Sequence, residues 1–115
     1  MSKQIGNHYE QAAKAFLQKQ GLIVLEQNFH SYRGEIDLIC RDRDTLVFVE
    51  VRYRQKTQFA NSIESVGYQK RKHLTQSATF FLQRRGWTDK YPCRFDVVAM
   101  KDDPLNPIEW IKNAF

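Results

Sequence analysis

Apolar residues recur along this chain with two periods, and the changes between them mark its elements. Tyr9, Ala12, Ala13, Phe16 and Leu17 follow the i, i+3, i+4, i+7, i+8 spacing of an amphipathic helix. A first helix is therefore expected from about residue 8 to Gln20, with Gly21 as its stop. Strand-length apolar runs follow: Leu22 to Phe29, Glu35 to Arg41 and Leu46 to Arg54, the last two joined by the polar turn Asp42-Arg43-Asp44. Gln55 to Ser65 reads as a polar, partly basic loop. The helical period returns from roughly Val66 to Arg85, with Leu74, Ala78, Phe81 and Leu82 inward and Gly86 ending it. Arg94 to Met100 is a fourth strand, Pro104 and Pro107 punctuate a loop, and Ile108 to Ile111 is a short last strand. The order αβββαββ predicts an α/β fold: a mixed sheet flanked by helices.

Acidic residues interrupt the apolar strands, in Gly34-Glu35-Ile36-Asp37-Leu38-Ile39 and Leu46-Val47-Phe48-Val49-Glu50-Val51-Arg52. Burying an unpaired carboxylate costs several kcal/mol, so each should be paired, protonated or bound to a cation. Side chains alternate along a strand. Glu35, Asp37 and Ile39 should then share one face of their strand. Phe48, Glu50, Arg52 and Arg54 should share one face of the next, with Val47, Val49 and Val51 on the other. Glu50 and Arg52 then lie about 7 Å apart on one side. A hairpin register that sets Asp37 beside Glu50 would gather two carboxylates and a cation. Metal-assisted phosphodiester hydrolysis uses that set, because hard oxygen ligands hold Mg²⁺ and a cation stabilises charge on the phosphate. The plainer alternative is a cross-strand salt bridge from Asp37 or Glu50 to Arg52 that serves stability alone. Asp96, within Arg94-Phe95-Asp96-Val97-Val98, reads mainly as a structural partner for an arginine, with a supporting role at the site as the alternative. Glu10 borders the apolar stripe of the first helix and could face the sheet. Equally, Asn7-x-x-Glu10 fits a capping box.

Composition narrows the classes. With 115 residues, 42% hydrophobic and 27% charged, the chain reads as one soluble, globular domain over 1–115. No apolar run is long enough for a membrane span. Met1 to Lys19 is polar and amphipathic, without the apolar centre of a signal peptide, so a cytoplasmic protein is expected. Cys40 and Cys93 are far apart in apolar strand contexts and read as buried, reduced thiols. With His8, His30 and His73 equally scattered, zinc is not expected. A net charge of +5 is compatible with a polyanionic partner. Arg52, Arg54 and Lys56 lead from the third strand into the loop, and Lys70, Arg71, Lys72, Arg84 and Arg85 decorate the second helix. Tyr53, Phe59 and Tyr68 are interleaved with them. That mixture suits phosphate contact with base stacking, against the alternative of an ordinary solvated helix face. Lys70 shares a face with Leu74 and Ala78, which directs its ammonium toward the sheet.

The chain resembles the YraN family of small bacterial proteins over nearly its whole length. The resemblance runs through Gly6-x-x-x-Glu10, Asn28, Gly34-Glu35-Ile36-Asp37-Leu38-Ile39, Phe48-Val49-Glu50-Val51-Arg52-x-Arg54, Lys70, Ala78, Arg94-Phe95-Asp96-Val97 and Ala114-Phe115. That family is grouped with the restriction-endonuclease-like fold, close to archaeal Holliday-junction resolvases. The resemblance implies a PD-(D/E)xK nuclease arrangement, with Glu10 as the helix glutamate, Asp37 as the metal aspartate and Glu50-Val51-Arg52 in place of the E-x-K motif. Two positions depart from the family pattern. Arg52 stands where lysine is usual, keeping the charge on a planar, bulkier group that is effectively never deprotonated. Phe59-Ala60 stands where Phe-Gly is frequent.

The expected protein is thus a Mg²⁺- or Mn²⁺-dependent nuclease hydrolysing phosphodiester bonds in DNA, branched or otherwise structured. Asp37 and Glu50 hold the metal, Glu10 assists, and Glu35 is a neighbour. Arg52 stabilises developing charge or positions water, and Lys70 is a reserve cation. Arg54, Lys56, Lys70 and Arg71 contact the nucleic acid. The rival class is a non-catalytic module that holds nucleic acid or a protein partner on a nuclease fold; a third reading is a subunit active only within a complex. A homodimer is expected by analogy with resolvases, whose four-way substrate presents two symmetric strands.

Overall fold

The structure, a computed structural model, describes residues 3–54, 67–105 and 107–115, without the side chains of residues 3–7 and 54. Its elements are α1 (Lys3–Lys19), β1 (Ile23–Ser31), β2 (Gly34–Asp42), β3 (Thr45–Arg54), α2 (Tyr68–Arg85), β4 (Cys93–Lys101) and β5 (Ile108–Ile111). The order is the expected αβββαββ, and the five strands form one mixed sheet in the order β1-β2-β3-β4-β5. The β3–β4 pair is parallel and the other three pairs are antiparallel. Parallel neighbours need a crossover, and the segment between β3 and β4 contains α2.

Both helices end as their glycines require. Gly21 has φ +97° and Gly86 φ +69°, left-handed values that glycine adopts without steric cost. Leu22 N–H donates to the Leu17 carbonyl and Gly21 N–H to that of Gln18. Trp87 and Gly86 repeat the pattern on Leu82 and Gln83. Each is a Schellman motif that satisfies otherwise orphaned carbonyls.

The helices lie on opposite faces. On the α1 face, Ala13 and Leu17 pack with Leu38, Cys40, Val47, Val49, Val98 and Met100. On the α2 face, Leu74, Ala78 and Phe81 pack with Ile36, Ile39, Phe48 and Val97. β3 alternates as expected, Val47, Val49, Val51 and Tyr53 against Leu46 and Phe48.

Four expectations are corrected. α1 begins at Lys3, not near residue 8, so Asn7 lies inside the helix and cannot cap it. α2 begins at Tyr68 behind an N-cap at Gly67; Val66 and the expected loop 55–65 lie outside the described residues. Cys93 is exposed, because it opens β4 at the sheet's end, and only Cys40 is buried. β2 does not alternate strictly, since Ile36 and Ile39 face α2 while Leu38 and Cys40 face α1. The strand turns about its axis at Asp37, where its ladder to β3 stops.

Candidate metal centre

The β2–β3 ladder runs from Asp42 opposite Thr45 to Leu38 opposite Val49, and there it ends. Beyond that point β2 pairs only with β1, and β3 only with β4. The sheet therefore forks. Continuing the register by one step sets Asp37 opposite Glu50, as the hairpin reading required. Asp37 Oδ2 accepts a hydrogen bond from the Val51 backbone N–H at 2.8 Å, so its carboxylate stands where a β2 carbonyl would be in an unbroken ladder.

Three further carboxylates surround it. Glu10 reaches across from α1 and Glu35 from two positions back on β2. Glu10, Glu35 and Asp37 each offer an oxygen within 4.8 Å of the others. Glu50 comes within hydrogen-bonding reach of Asp37. It is 8% exposed, and its Oε2 lies 3.4 Å from Lys70 Nζ in the first turn of α2. On the α1 side, Tyr9 stacks on Tyr53 with centroids 4.5 Å apart, which ties the helix carrying Glu10 to the β3 arm of the fork.

The electrostatics follow from this crowding. Burial pushes Asp37 up, and the nearby Glu50 charge pushes it further, to about 7; the Val51 N–H and Lys70 act in the opposite sense. Glu10 is also raised, first by burial, then by the charge of Asp37, while the Asn28 amide that hydrogen-bonds to it opposes the shift. Like charges at this spacing cannot all ionise without a cation between them. The donors are hard oxygens, the set that suits Mg²⁺ or Mn²⁺ rather than zinc, so these residues fit a divalent cation.

The remaining sequence-derived candidates divide. Lys70 is brought to the site as its helix face implied. Among the described residues Arg52 pairs with neither Asp37 nor Glu50, so the alternative of a salt bridge from Arg52 to either acid is not what forms. Its Nε is buried without a hydrogen-bond partner there. Arg71 is exposed beside Tyr68 and Lys72. The Arg54 side chain, Lys56, Phe59 and Ala60 lie outside the described residues. Arg84 and Arg85 are exposed and lie over aromatic rings, and Arg85 also pairs with Glu26 at 3.3 Å.

Asp96 is structural, as its arginine neighbour suggested. It is fully buried and accepts from Arg94 Nε at 3.1 Å, Trp110 Nε1 at 2.9 Å and the Asn113 N–H at 2.9 Å. Asn28 is the site residue that pattern reasoning missed. It lies in β1 at φ +51°, and asparagine tolerates that left-handed conformation better than most residues. Its signals were a polar residue inside a strand and its place in the family resemblance.

Fold and site together define a small α/β protein with a cluster of carboxylates at the split of a mixed sheet. Residues 9–100 match the model of the family described as "Uncharacterised protein family UPF0102". The chain is 46% identical over 115 residues to a UPF0102 protein of Pseudomonas syringae pv. syringae, covering 98% of this chain and 94% of the relative. A UPF0102 protein of Francisella tularensis subsp. tularensis (strain WY96-3418) is 46% identical over 113 residues, covering 97% and 94%. One from Ectopseudomonas mendocina is 43% identical, covering 96% and 93%. This chain belongs to the UPF0102 family, the YraN family of the sequence resemblance. Among the described residues no helix is long and apolar enough to cross a membrane.

Proposed function

We propose that this chain is a metal-dependent nuclease: a single restriction-endonuclease-like domain, acting in the cytoplasm on the phosphodiester bonds of DNA, with branched or structured DNA as its substrate. One observation carries the reading. Four carboxylates from α1, β2 and β3 meet at the fork, and one of them is raised to about 7. Structure gains nothing from such repulsion, whereas a cation site requires it.

Asp37, Glu10 and Glu35 would hold Mg²⁺ or Mn²⁺, with Glu50 completing the set from β3. The ion, when bound, supplies Lewis-acid stabilisation of phosphate charge and lowers the pKa of water. Lys70, 3.4 Å from Glu50, would place an ammonium beside the reacting phosphate. Arg52 is two residues further along β3, Arg71 is exposed on α2 and would meet the DNA backbone, and Arg54 and Lys56 are proposed as phosphate contacts from the sequence alone. A homodimer would match a substrate with two symmetric strands.

A second reading has an observation of its own. Arg52 replaces the lysine of the family motif, and its Nε is buried and unpartnered among the described residues. That favours a non-catalytic module that holds nucleic acid or a protein partner. Calorimetric Mn²⁺ titration, followed by cleavage assays on branched, flapped, single-stranded and duplex DNA with Mn²⁺ or EDTA, separates the two. Mn²⁺-dependent cleavage abolished by Asp37→Asn is the expected result. Mn²⁺ binding unchanged in Asp37→Asn and Glu50→Gln would sink the site assignment. DNA binding without cleavage on any substrate would leave the binding module.

A further inference from the structure

The opposite end of the β2–β3 hairpin carries a different surface. Arg43 lies six positions along the hairpin from Asp37, roughly 20 Å at the antiparallel rise. A cavity of about 510 Å³ opens there, with Leu46 and Trp87 in its floor, Tyr91 in its wall, and Arg41, Arg43 and Lys90 around it. Those three cations are exposed, and among the described residues none of them forms an ion pair. Asp44 is the single acid in the lining. Tyr91 is 43% exposed, and its ring meets that of Trp87 edge-on at 5.6 Å. The Trp87 ring is supported from behind by Phe81 and Arg85.

The turn adds a second observation. Arg43 adopts φ +58°, a position where glycine or asparagine costs least. An arginine there spends local strain to set a guanidinium on the crest of the hairpin, where it borders this cavity and also a second one lined by Lys112 and Trp110.

Resting on the nucleic-acid reading above, we infer that this groove binds a single-stranded segment of nucleic acid. A base stacks on Tyr91 over the Trp87 floor, and the flanking phosphates meet Arg41, Arg43 and Lys90. The charge balance selects a polyanion. Two adjoining aromatic rings select one whose units carry flat faces, which an acidic peptide lacks and a closed duplex hides. At about 3.4 Å per stacked nucleotide, one strand would span the distance from the acidic fork in about six nucleotides. The substrate class deepens accordingly, to DNA with a single-stranded arm of about that length.

The test is fluorescence anisotropy in EDTA at low salt, with labelled oligothymidine and a labelled blunt duplex. Tyr91→Ala should weaken oligothymidine binding about five- to tenfold, the size of one lost base stack. Tyr91→Phe should retain it, and duplex affinity should not move. Arg43→Ala and Lys90→Ala should each lower the log–log salt slope for oligothymidine by about 0.7. All three substituted side chains are at the surface, and unchanged circular dichroism and melting temperature will verify folding. Wild-type oligothymidine affinity in Tyr91→Ala overturns this inference and leaves the proposed nuclease standing. Failure of the wild type to bind either DNA overturns both. If Tyr91→Ala weakens a polyglutamate competitor as much as oligothymidine, the groove serves an acidic protein and the inference is also overturned.

Discussion

Asp37→Asn should stabilise the metal-free protein, and more so as pH rises. In the unfolded chain Asp37 loses its proton near 3.8, whereas in the fold it holds it to about 7. The native state therefore binds the extra proton between those values. The stability this proton contributes is full below about pH 4 and is lost as pH rises through about 7. The gap corresponds to about 4 kcal/mol once both states are ionised. Rearrangement of the half-exposed Glu10 and Glu35 would absorb part of it, so a gain of about 1–3 kcal/mol is expected near pH 8. Asparagine keeps an oxygen to accept from Val51, so the 2.8 Å hydrogen bond that closes the fork survives. Urea denaturation in EDTA, at about pH 4.5, 6 and 8, measures the difference between variant and wild type. It should be near zero at the lowest pH and grow through the series. Saturating Mn²⁺ should reverse the order, because it binds the native wild type and stabilises it by mass action. A difference that is independent of pH, or that falls as pH rises, refutes the account of a repelling carboxylate cluster.

Three other outcomes follow from named contacts. Lys70→Ala removes the cation 3.4 Å from Glu50. Its ammonium is nearly half exposed, so stability should fall by under about 1 kcal/mol, while the pKa of Asp37, followed by carboxyl NMR, should rise further. Asp96→Ala strands the Arg94 Nε–H, the Trp110 indole N–H and the Asn113 N–H, leaving Arg94 only its pair with Asp42, and should cost about 3 kcal/mol in denaturation. If the motif position needs only a positive charge, Arg52→Lys should leave cleavage within about tenfold of wild type, under ~1.4 kcal/mol of barrier, with Arg52→Ala costing far more; a gain of activity in Arg52→Lys from a nearly inert wild type would show that a compact ammonium is required.

The alternation of apolar positions is a local property, and what it encodes was legible directly. Seven elements, their order, the glycine stops at Gly21 and Gly86 and the two-faced pattern of Val47 to Val51 follow from side-chain period and backbone sterics within a few residues. The pairing of Asp37 with Glu50 was nearly legible too, because a short hairpin turn leaves few registers open. The family resemblance added Glu10, whose position on α1 gives no measure of its distance from β2.

What periodicity could not supply was the interruption of the ladder. β2 parts from β3 at Leu38 because Asp37 satisfies Val51 N–H with its side chain, and that exchange of backbone for carboxylate leaves no mark on the apolar pattern. The same holds for contacts between distant segments. Asn28 on Glu10, Lys70 on Glu50, and Trp110 and Asn113 on Asp96 each join residues at least 14 positions apart. Composition selects polar groups that need partners, and only the packing of α1 and α2 on opposite faces of the sheet decides which partner each one meets.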